Sequence, residues 1–226
     1  MHSGHRQRLK DRFLQEGLDN FQEINALELL LFYCIPRKDT NEIAHELINE
    51  FGSFTNVMEA SVEELQKVKG VGHNAATFIG LVNSVNRFYR IKKAEGTSVI
   101  NKIDEYVAVL EPRFAGRKHE TVFLLCLDAK SKIICCKQLT EGTVTSAHIS
   151  VRKVIEAALA ANASSVILAH NHPGGLAMPS KADEDTTYRV AKALSDVDVS
   201  LLDHVIFSDS DYTSMVHSAH YRVQDQ

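Results

Sequence analysis

Hydrophobic residues in the first 95 positions of the chain recur mainly at spacings of three and four. The two clearest runs are Leu27, Leu30, Leu31 with Cys34 and Ile43, Leu47, Ile48 with Phe51. This spacing lines one face of a helix with apolar side chains. Ser61 followed by Glu64 has the pattern of a helix capping box, and a further apolar run covers residues 75–89. Residues 1–95 therefore predict an all-α domain of about five short helices.

A polar stretch at residues 92–98 predicts a linker, and beyond it short β-rich runs alternate with amphipathic runs. The predicted helices cover residues 103–114, 150–161 and 180–195, and the predicted strands cover residues 121–127, 132–138, 164–170 and 200–207. The first two strands are separated by a short turn and should form a hairpin. The helix at 150–161 is apolar on most sides, so it should pack against a sheet. Residues 99–226 therefore predict an α/β domain with a mixed sheet.

Composition and charge argue against several classes of protein. The chain has 226 residues, of which 44% are hydrophobic, enough for one large domain or two small ones. A net charge of −4 and a pI of about 6.3 argue against a strongly basic nucleic-acid-binding protein. No apolar run approaches the roughly 18–20 residues of a membrane span, and the polar N-terminus is not a secretory signal. The four cysteines show no CxxC spacing, which favours reduced thiols and a cytoplasmic location.

The motif His170-Asn171-His172 ends a predicted strand, and Asp183 follows in the first turn of the next predicted helix. Because alternate strand residues share a face, His170 and His172 should project together while Asn171 points away. Two imidazoles and one carboxylate suit zinc, and three protein ligands leave the fourth position for water. A purely structural alternative stays open, since paired histidines occur without a metal and Ser180 with Asp183 also fits a helix N-cap.

Several segments of the chain are similar to one known family. They are HNHPGG and PSKAD at the proposed site, SSVILA before it, LLDHVIF after it, and GHRQRLKDRF, ELLLFYCIPRKDTNEIAHEL and VKGVG in the N-terminal part. Together they resemble the bacterial RadC-like proteins of the JAMM/MPN metalloprotease superfamily. The resemblance implies an MPN fold at residues 99–226, with a central mixed sheet flanked by helices, after a helix-hairpin-helix domain at residues 1–95. It also implies one zinc ion per chain, bound by His170, His172 and Asp183, with Ser180 stabilising the tetrahedral intermediate.

In that superfamily an upstream glutamate acts as general base toward water. Glu120 directly precedes the strand at 121–127 and stands where the superfamily places this residue, and Glu141 in a turn-like segment is the alternative. Such a base must reach the water from a neighbouring strand. The resulting prediction is a zinc-dependent hydrolase of the metallopeptidase type, which cleaves an amide or isopeptide bond in a peptide or protein.

The segment Lys69-Gly70-Val71-Gly72 resembles the hairpin of helix-hairpin-helix modules. Its glycines would expose backbone N–H groups at a helix N-terminus, where a DNA phosphate can bind. A tight turn that needs glycine for its backbone angles is the structural alternative. Basic and acidic residues are nearly balanced over residues 1–95, although residues 5–12 are locally basic. The alternative function is a DNA-associated repair or recombination module whose metal site is structural or processes DNA.

Overall fold

The computed structural model describes residues 3–36, 38–94, 99–141, 149–209 and 211–216, without the side chains of residues 3 and 141. The chain divides into two compact units, Met1–Phe88 and Tyr89–Gln226. None of the helices within the described ranges is long and apolar enough to cross a membrane. The division between the units falls inside a long helix, and the predicted domain limits at residues 95 and 99 stay a prediction.

The first unit is helical, as the hydrophobic spacing predicts. Its helices are α1 (Ser3–Glu16), α2 (Glu23–Leu31), α3 (Asn41–Phe51), α4 (Phe54–Glu59), α5 (Val62–Leu65) and α6 (His73–Ala94), the last of which continues into the second unit. The predicted capping box forms at α5, where Ser61 and Glu64 each accept the other's backbone N–H. The prediction of about five short helices is wrong in one respect, since α6 has 22 residues and includes part of the predicted linker.

The core of the first unit lies between α2, α3 and α6. Leu27 and Leu31 of α2 pack with Leu47 of α3 and with Ala76 and Ile79 of α6, and all five side chains are fully buried. Leu27 and Leu31 belong to the apolar face predicted for α2, and Leu47 belongs to the one predicted for α3. Burial of these apolar faces is the main source of stability for helices of this length.

The second unit alternates helices and strands. Its elements are α7 (Ile103–Phe114), β1 (Thr121–Leu127), β2 (Ile133–Glu141), α8 (Val151–Ala160), β3 (Ser165–Asn171), α9 (Lys181–Ser195), β4 (Ser200–Phe207) and β5 (Tyr212–Ser214). The limits of α7, β1 and β4 are those predicted from the sequence. In contrast, β2 runs further than predicted, and β5 was not predicted because three residues are too few to show an alternating pattern.

The five strands form one mixed sheet in the order β2-β1-β3-β4-β5, which confirms the α/β fold class. Only β3 and β4 are parallel, and the remaining neighbours are antiparallel. Side chains of β1 alternate between the two faces: Phe123 and Leu125 pack with α7, whereas Leu124 and Cys126 pack with α8 and α9. Because helices cover both faces, the central strands are continuous apolar runs rather than alternating ones.

Asp203 joins β4 to its surroundings on the α7 face of the sheet. One carboxylate oxygen accepts hydrogen bonds from the hydroxyls of Tyr106 and Ser214, each at 2.6 Å. The other oxygen accepts the backbone N–H groups of His204 at 2.7 Å and Val216 at 3.2 Å. A buried carboxylate requires such partners, and here they fix the position of β4 next to residue 204.

Candidate metal centre

The chain turns back at the end of β3, and this turn places His172. Its backbone N–H donates to the carbonyl of Phe207 on β4 at 2.7 Å, so residue 172 still follows the sheet. Gly174 has a φ of +66°, a left-handed conformation that glycine adopts without steric cost. The N–H of Gly175 then donates to the carbonyl of His172 at 3.1 Å. The sharp turn keeps His172 next to His170 at the strand end.

Asn171, between the two histidines, holds the ends of β3 and β1 together. Its side-chain oxygen accepts the backbone N–H of Thr121 at 2.8 Å, and its amide donates to the carbonyl of His119 at 3.3 Å. Asn171 therefore points away from the two imidazoles, as the strand alternation predicts. These two bonds fix the strand end from which the histidines project.

Asp183 is placed by the N-terminal cap of α9. Ser180 is the N-cap residue, and its hydroxyl oxygen accepts the backbone N–H of Asp183 at 3.2 Å. In return, Oδ2 of Asp183 accepts the backbone N–H of Ser180 at 2.8 Å and its hydroxyl at 2.6 Å. The N-cap suggested by the sequence is present, and it directs the carboxylate back toward the end of β3.

Three donor atoms of His170, His172 and Asp183 converge at this point and all lie within 4.8 Å of one another. Nε2 of His170 is 2.9 Å from Nε2 of His172, and the carboxylate oxygens of Asp183 approach them to 3.3 Å and 3.6 Å respectively. Within the described part of the chain, this is the one group of three or more such side chains that could share a metal ion. The side chain of His170 is 5% exposed, against 20% for His172 and 15% for Asp183, so the cluster is open to solvent on one side.

Burial disfavours the charged form of the His170 and His204 imidazoles. Removal from water lowers the pKa of His170 from 6.5 to about 4, with the nearby carboxylate of Asp183 opposing the shift and His172 adding to it. The pKa of His204, which is completely buried, lies well below its ordinary value for the same main reason. A neutral imidazole has a lone pair to offer, which is the form in which histidine binds metals.

Each imidazole of the cluster has a partner on its other ring nitrogen. Nδ1 of His172 lies 3.1 Å from the carbonyl oxygen of Leu176. Nδ1 of His170 lies 2.8 Å from Nε2 of His204, whose own Nδ1 lies 2.6 Å from the hydroxyl of Thr187. A second set of contacts behind the two Nε2 donors therefore orients both imidazole rings.

Sequence reasoning missed Thr187, whereas it places His204 on a strand as a structural residue or a partner behind the metal ligands. A signal for Thr187 was present, because it follows Asp183 by four residues and so shares its helix face. The signal for His204 was weaker. It depends on β4 pairing in parallel with β3, and Cα of His204 lies opposite Leu168 in that ladder.

Glu120, the predicted general base, is half-buried immediately before β1. The antiparallel ladder between β1 and β3 ends with Val122 paired with His170, so Glu120 lies two residues from a residue that pairs with a proposed ligand. The backbone of Glu141, the alternative, pairs with Thr121 on the other side of β1. Strand β1 thus lies between Glu141 and β3.

The predicted hairpin residues Lys69, Gly70 and Gly72 lie in the first unit, just before α6. Gly70 has a φ of +94°, and a Cβ there would stand 3.0 Å from side-chain atoms of Ile43. Glycine at this position therefore has a structural reason. The cavity beside it, about 350 Å³ in volume, is lined by Lys69 and Lys38 but also by three carboxylates, those of Asp39, Glu42 and Glu46.

The basic segment at residues 5–12 forms part of α1, and two of its arginines are engaged within the protein. Arg6 donates to the carbonyls of Ile35 at 3.0 Å and Lys38 at 2.5 Å, and its guanidinium lies over the ring of Phe32. Arg12 forms an ion pair with Glu16. Both guanidinium groups therefore have intramolecular partners on this surface.

Comparison with known proteins identifies both parts of the chain. Residues 100–221 match the family model described as RadC-like JAB domain, and residues 2–77 match the model described as UPF0758 N-terminal. A UPF0758 protein of Fusobacterium nucleatum is 33% identical over 94% of this chain and 95% of its own length. Another, from Ruegeria pomeroyi, is 36% identical over 91% of this chain and 92% of its own. The chain therefore belongs to the UPF0758 family and carries a RadC-like JAB (MPN) domain.

Proposed function

We propose that this protein is a zinc-dependent hydrolase that cleaves an amide or isopeptide bond in a peptide or protein. The observation that carries the proposal is the convergence of His170, His172 and Asp183 at one solvent-accessible point. Three protein ligands leave one position of a tetrahedral zinc ion open, whereas a structural zinc normally has four. The resemblance to the JAMM/MPN metalloproteases supports the same function.

The spacing of the donor groups is close to that of zinc ligands. Zinc bonds of roughly 2.0–2.2 Å at tetrahedral angles separate neighbouring ligand atoms by about 3.4 Å. Here Nε2 of His170 and Nε2 of His172 are 2.9 Å apart. Asp183 places Oδ1 3.3 Å from the first nitrogen and its other oxygen, Oδ2, 3.6 Å from the second. When bound, zinc acts as a Lewis acid and lowers the pKa of a coordinated water to about 7.

In this proposal Glu120 is the general base, which takes a proton from the attacking water and passes it to the leaving amine. The support is the strand register, since Glu120 is two residues from Val122, which pairs with the proposed ligand His170. The position of Glu141 beyond β1 makes it the weaker alternative.

Ser180 is proposed to stabilise the negative charge that develops on the carbonyl oxygen of the substrate. Its hydroxyl carries a single hydrogen, and at present that hydrogen is directed to Oδ2 of Asp183 at 2.6 Å. To donate a hydrogen bond to the substrate, the hydroxyl must therefore rotate, which its exposed position permits.

The first test is metal analysis of three purified proteins: the wild type, His172→Ala and His45→Ala. His45 is exposed on α3 and controls for loss of a surface imidazole. We expect one zinc ion per chain in the wild type and in His45→Ala, and substoichiometric zinc in His172→Ala. A wild type that binds no stoichiometric zinc would contradict the proposed function.

The second test is turnover on peptide, isopeptide and DNA substrates. Glu120→Gln should keep its zinc and lose hydrolysis by roughly 100-fold or more, because the amide cannot accept the proton. Glu156→Gln is the matched control, since Glu156 is exposed on α8 and paired only with Arg152 among the contacts described for it. Unchanged turnover in Glu120→Gln would transfer the role to Glu141 or to another residue. Zinc-dependent cleavage of DNA without peptide turnover would favour the DNA-processing alternative instead.

A cytoplasmic location is part of the proposal. Its support is that all four cysteines, Cys34, Cys126, Cys135 and Cys136, are free thiols. Disulfides are rare in the reducing cytosol.

A further inference from the structure

A chain of short contacts runs from the proposed metal ligand His170 into the protein. Nδ1 of His170 lies 2.8 Å from Nε2 of His204, and Nδ1 of His204 lies 2.6 Å from Oγ1 of Thr187. The chain ends at the backbone carbonyl of Asp183, 2.6 Å from the same hydroxyl. His204 and Thr187 are buried, so the hydrogen bonds that they make must come from these neighbours.

The direction of every bond in this chain follows from its last member. The carbonyl oxygen of Asp183 can only accept, so the hydroxyl hydrogen of Thr187 must point toward it. The sulfur of Met215, at 3.5 Å from the same hydroxyl, is a weak acceptor and does not compete with an oxygen at 2.6 Å. The hydroxyl then has only lone pairs to offer His204, and Nδ1 of His204 must carry the ring hydrogen.

The same reasoning passes to the next ring. A neutral imidazole has one N–H, so Nε2 of His204 has a lone pair and accepts from Nδ1 of His170. Nε2 of His170 is thereby left without a hydrogen, with its lone pair directed toward His172 and Asp183. Nε2 of His172 lies 2.9 Å from Nε2 of His170 and can donate a hydrogen to this lone pair when no metal is bound.

We propose that Thr187 and His204 are positioning residues that hold His170 in the Nδ1–H tautomer, with Nε2 free to bind a metal. The hydroxyl of Thr187 sets the direction of the chain, although it touches none of the three ligand donor atoms in the contacts described. The metal-binding part of this inference depends on the proposed function, whereas the tautomer of His170 does not.

Thr187→Val tests the inference because valine has nearly the same shape and lacks only the hydroxyl. The substitution removes the acceptor for Nδ1–H of His204, so this ring can reverse its tautomer and donate to His170. His170 would then carry its hydrogen on Nε2, where it blocks metal binding. We expect the zinc affinity, measured by competition with a chromophoric chelator, to fall by roughly 10- to 100-fold.

Thr187→Ser is the matched control, since serine keeps the hydroxyl and loses a methyl group. We expect its zinc affinity to stay close to that of the wild type. A merely structural role for Thr187 would reduce affinity in both variants or in neither. Equal zinc affinity in Thr187→Val and the wild type would overturn the inference.

Nitrogen NMR of the histidine side chains gives a readout that needs neither metal nor a variant. In metal-free wild type, at a pH well above the ordinary histidine pKa of about 6.5, we expect the hydrogen of His170 on Nδ1. A hydrogen on Nε2 would overturn the inference whatever the variants do. A wild type with the Nδ1–H tautomer that takes up no zinc would instead contradict the proposed function and leave the hydrogen-bond chain in place.

Discussion

Ser180 has two functions in the structure that one pair of substitutions can separate. Its hydroxyl caps α9 by accepting the N–H of Asp183, and it also donates to the carboxylate of the same residue. Ser180→Ala removes both bonds. Ser150→Ala removes only a cap, because Ser150 accepts the backbone N–H of Lys153 at the start of α8 and no return bond from that residue is present.

The expected loss of stability can be worked out from these contacts. Loss of an N-cap serine costs about 1 kcal/mol, within a range of roughly 0.5–2 kcal/mol. The second bond of Ser180 reaches a carboxylate at 2.6 Å but is exposed, so it adds about 0.5–1 kcal/mol. We therefore expect the free energy of unfolding to fall by about 1.5–2 kcal/mol in Ser180→Ala and by about 0.5–1 kcal/mol in Ser150→Ala.

The second expected effect is on the metal. Without the hydroxyl, the carboxylate of Asp183 keeps the backbone N–H of Ser180 but loses its shortest bond, so its orientation toward His170 is less well fixed. We expect zinc affinity to fall by roughly 10-fold in Ser180→Ala and to remain unchanged in Ser150→Ala. Urea denaturation of the metal-free proteins measures the first effect, and zinc competition with a chelator measures the second.

Two results would refute this reasoning about Ser180. If Ser180→Ala were as stable as the wild type, the cap would contribute nothing. If Ser180→Ala and Ser150→Ala bound zinc equally well, the hydroxyl would not position Asp183. A variant that binds zinc normally but turns over roughly 100-fold more slowly at saturating zinc would leave only the proposed oxyanion function.

Two further predictions concern buried polar groups. Burial lowers the pKa of His170 from 6.5 in the unfolded chain to about 4 in the folded one. Its contribution to the free energy of unfolding, about 3 kcal/mol, is therefore present above pH 6.5 and is lost as the pH falls toward 4. In urea denaturation, metal-free His170→Gln should lose less stability than the wild type between these pH values, and parallel curves would contradict the assignment. Tyr106→Phe removes a buried 2.6 Å hydrogen bond to Asp203. We expect the free energy of unfolding to fall by about 1.5–3 kcal/mol and the zinc stoichiometry to stay the same. An unchanged midpoint in urea would show that the bond contributes no net stability.

The elements best predicted from the sequence are those with a single, strong local cause. Strands β1 and β4 are apolar runs bounded by polar turns, and α7 is framed by polar segments, so their limits coincide with the prediction. The serine caps at Ser61, Ser150 and Ser180 mark three helix starts for the same reason, since each accepts a backbone N–H in the first turn. Short-range hydrogen bonds and local hydrophobic spacing are encoded within a few residues.

Other features depend on contacts between distant segments, which local patterns do not encode. Strand β5 has three residues and exists because it pairs with β4. The contact between His204 and His170 needs the parallel pairing of β4 with β3, and the contact between His204 and Thr187 needs α9 to pack on the same face. The metal ligands could be predicted from the sequence because strand alternation and a helix start define them. The contacts of the groups behind them could not, since they depend on how β4 and α9 pack against β3.

The structural and the metal-binding interpretations of Asp183 are compatible because a carboxylate has two oxygens. Oδ2 accepts both bonds from Ser180 and so completes the capping box, while Oδ1 lies 3.3 Å from Nε2 of His170. A helix cap alone requires one acceptor oxygen, which the amide of an asparagine would also supply. Oδ1 takes no part in the cap and faces Nε2 of His170, whereas the capping oxygen Oδ2 is the one that lies 3.6 Å from Nε2 of His172. The other ring nitrogen of each histidine already has a partner. It is this surplus of acceptor atoms, rather than the cap, that indicates a cation site at the end of β3.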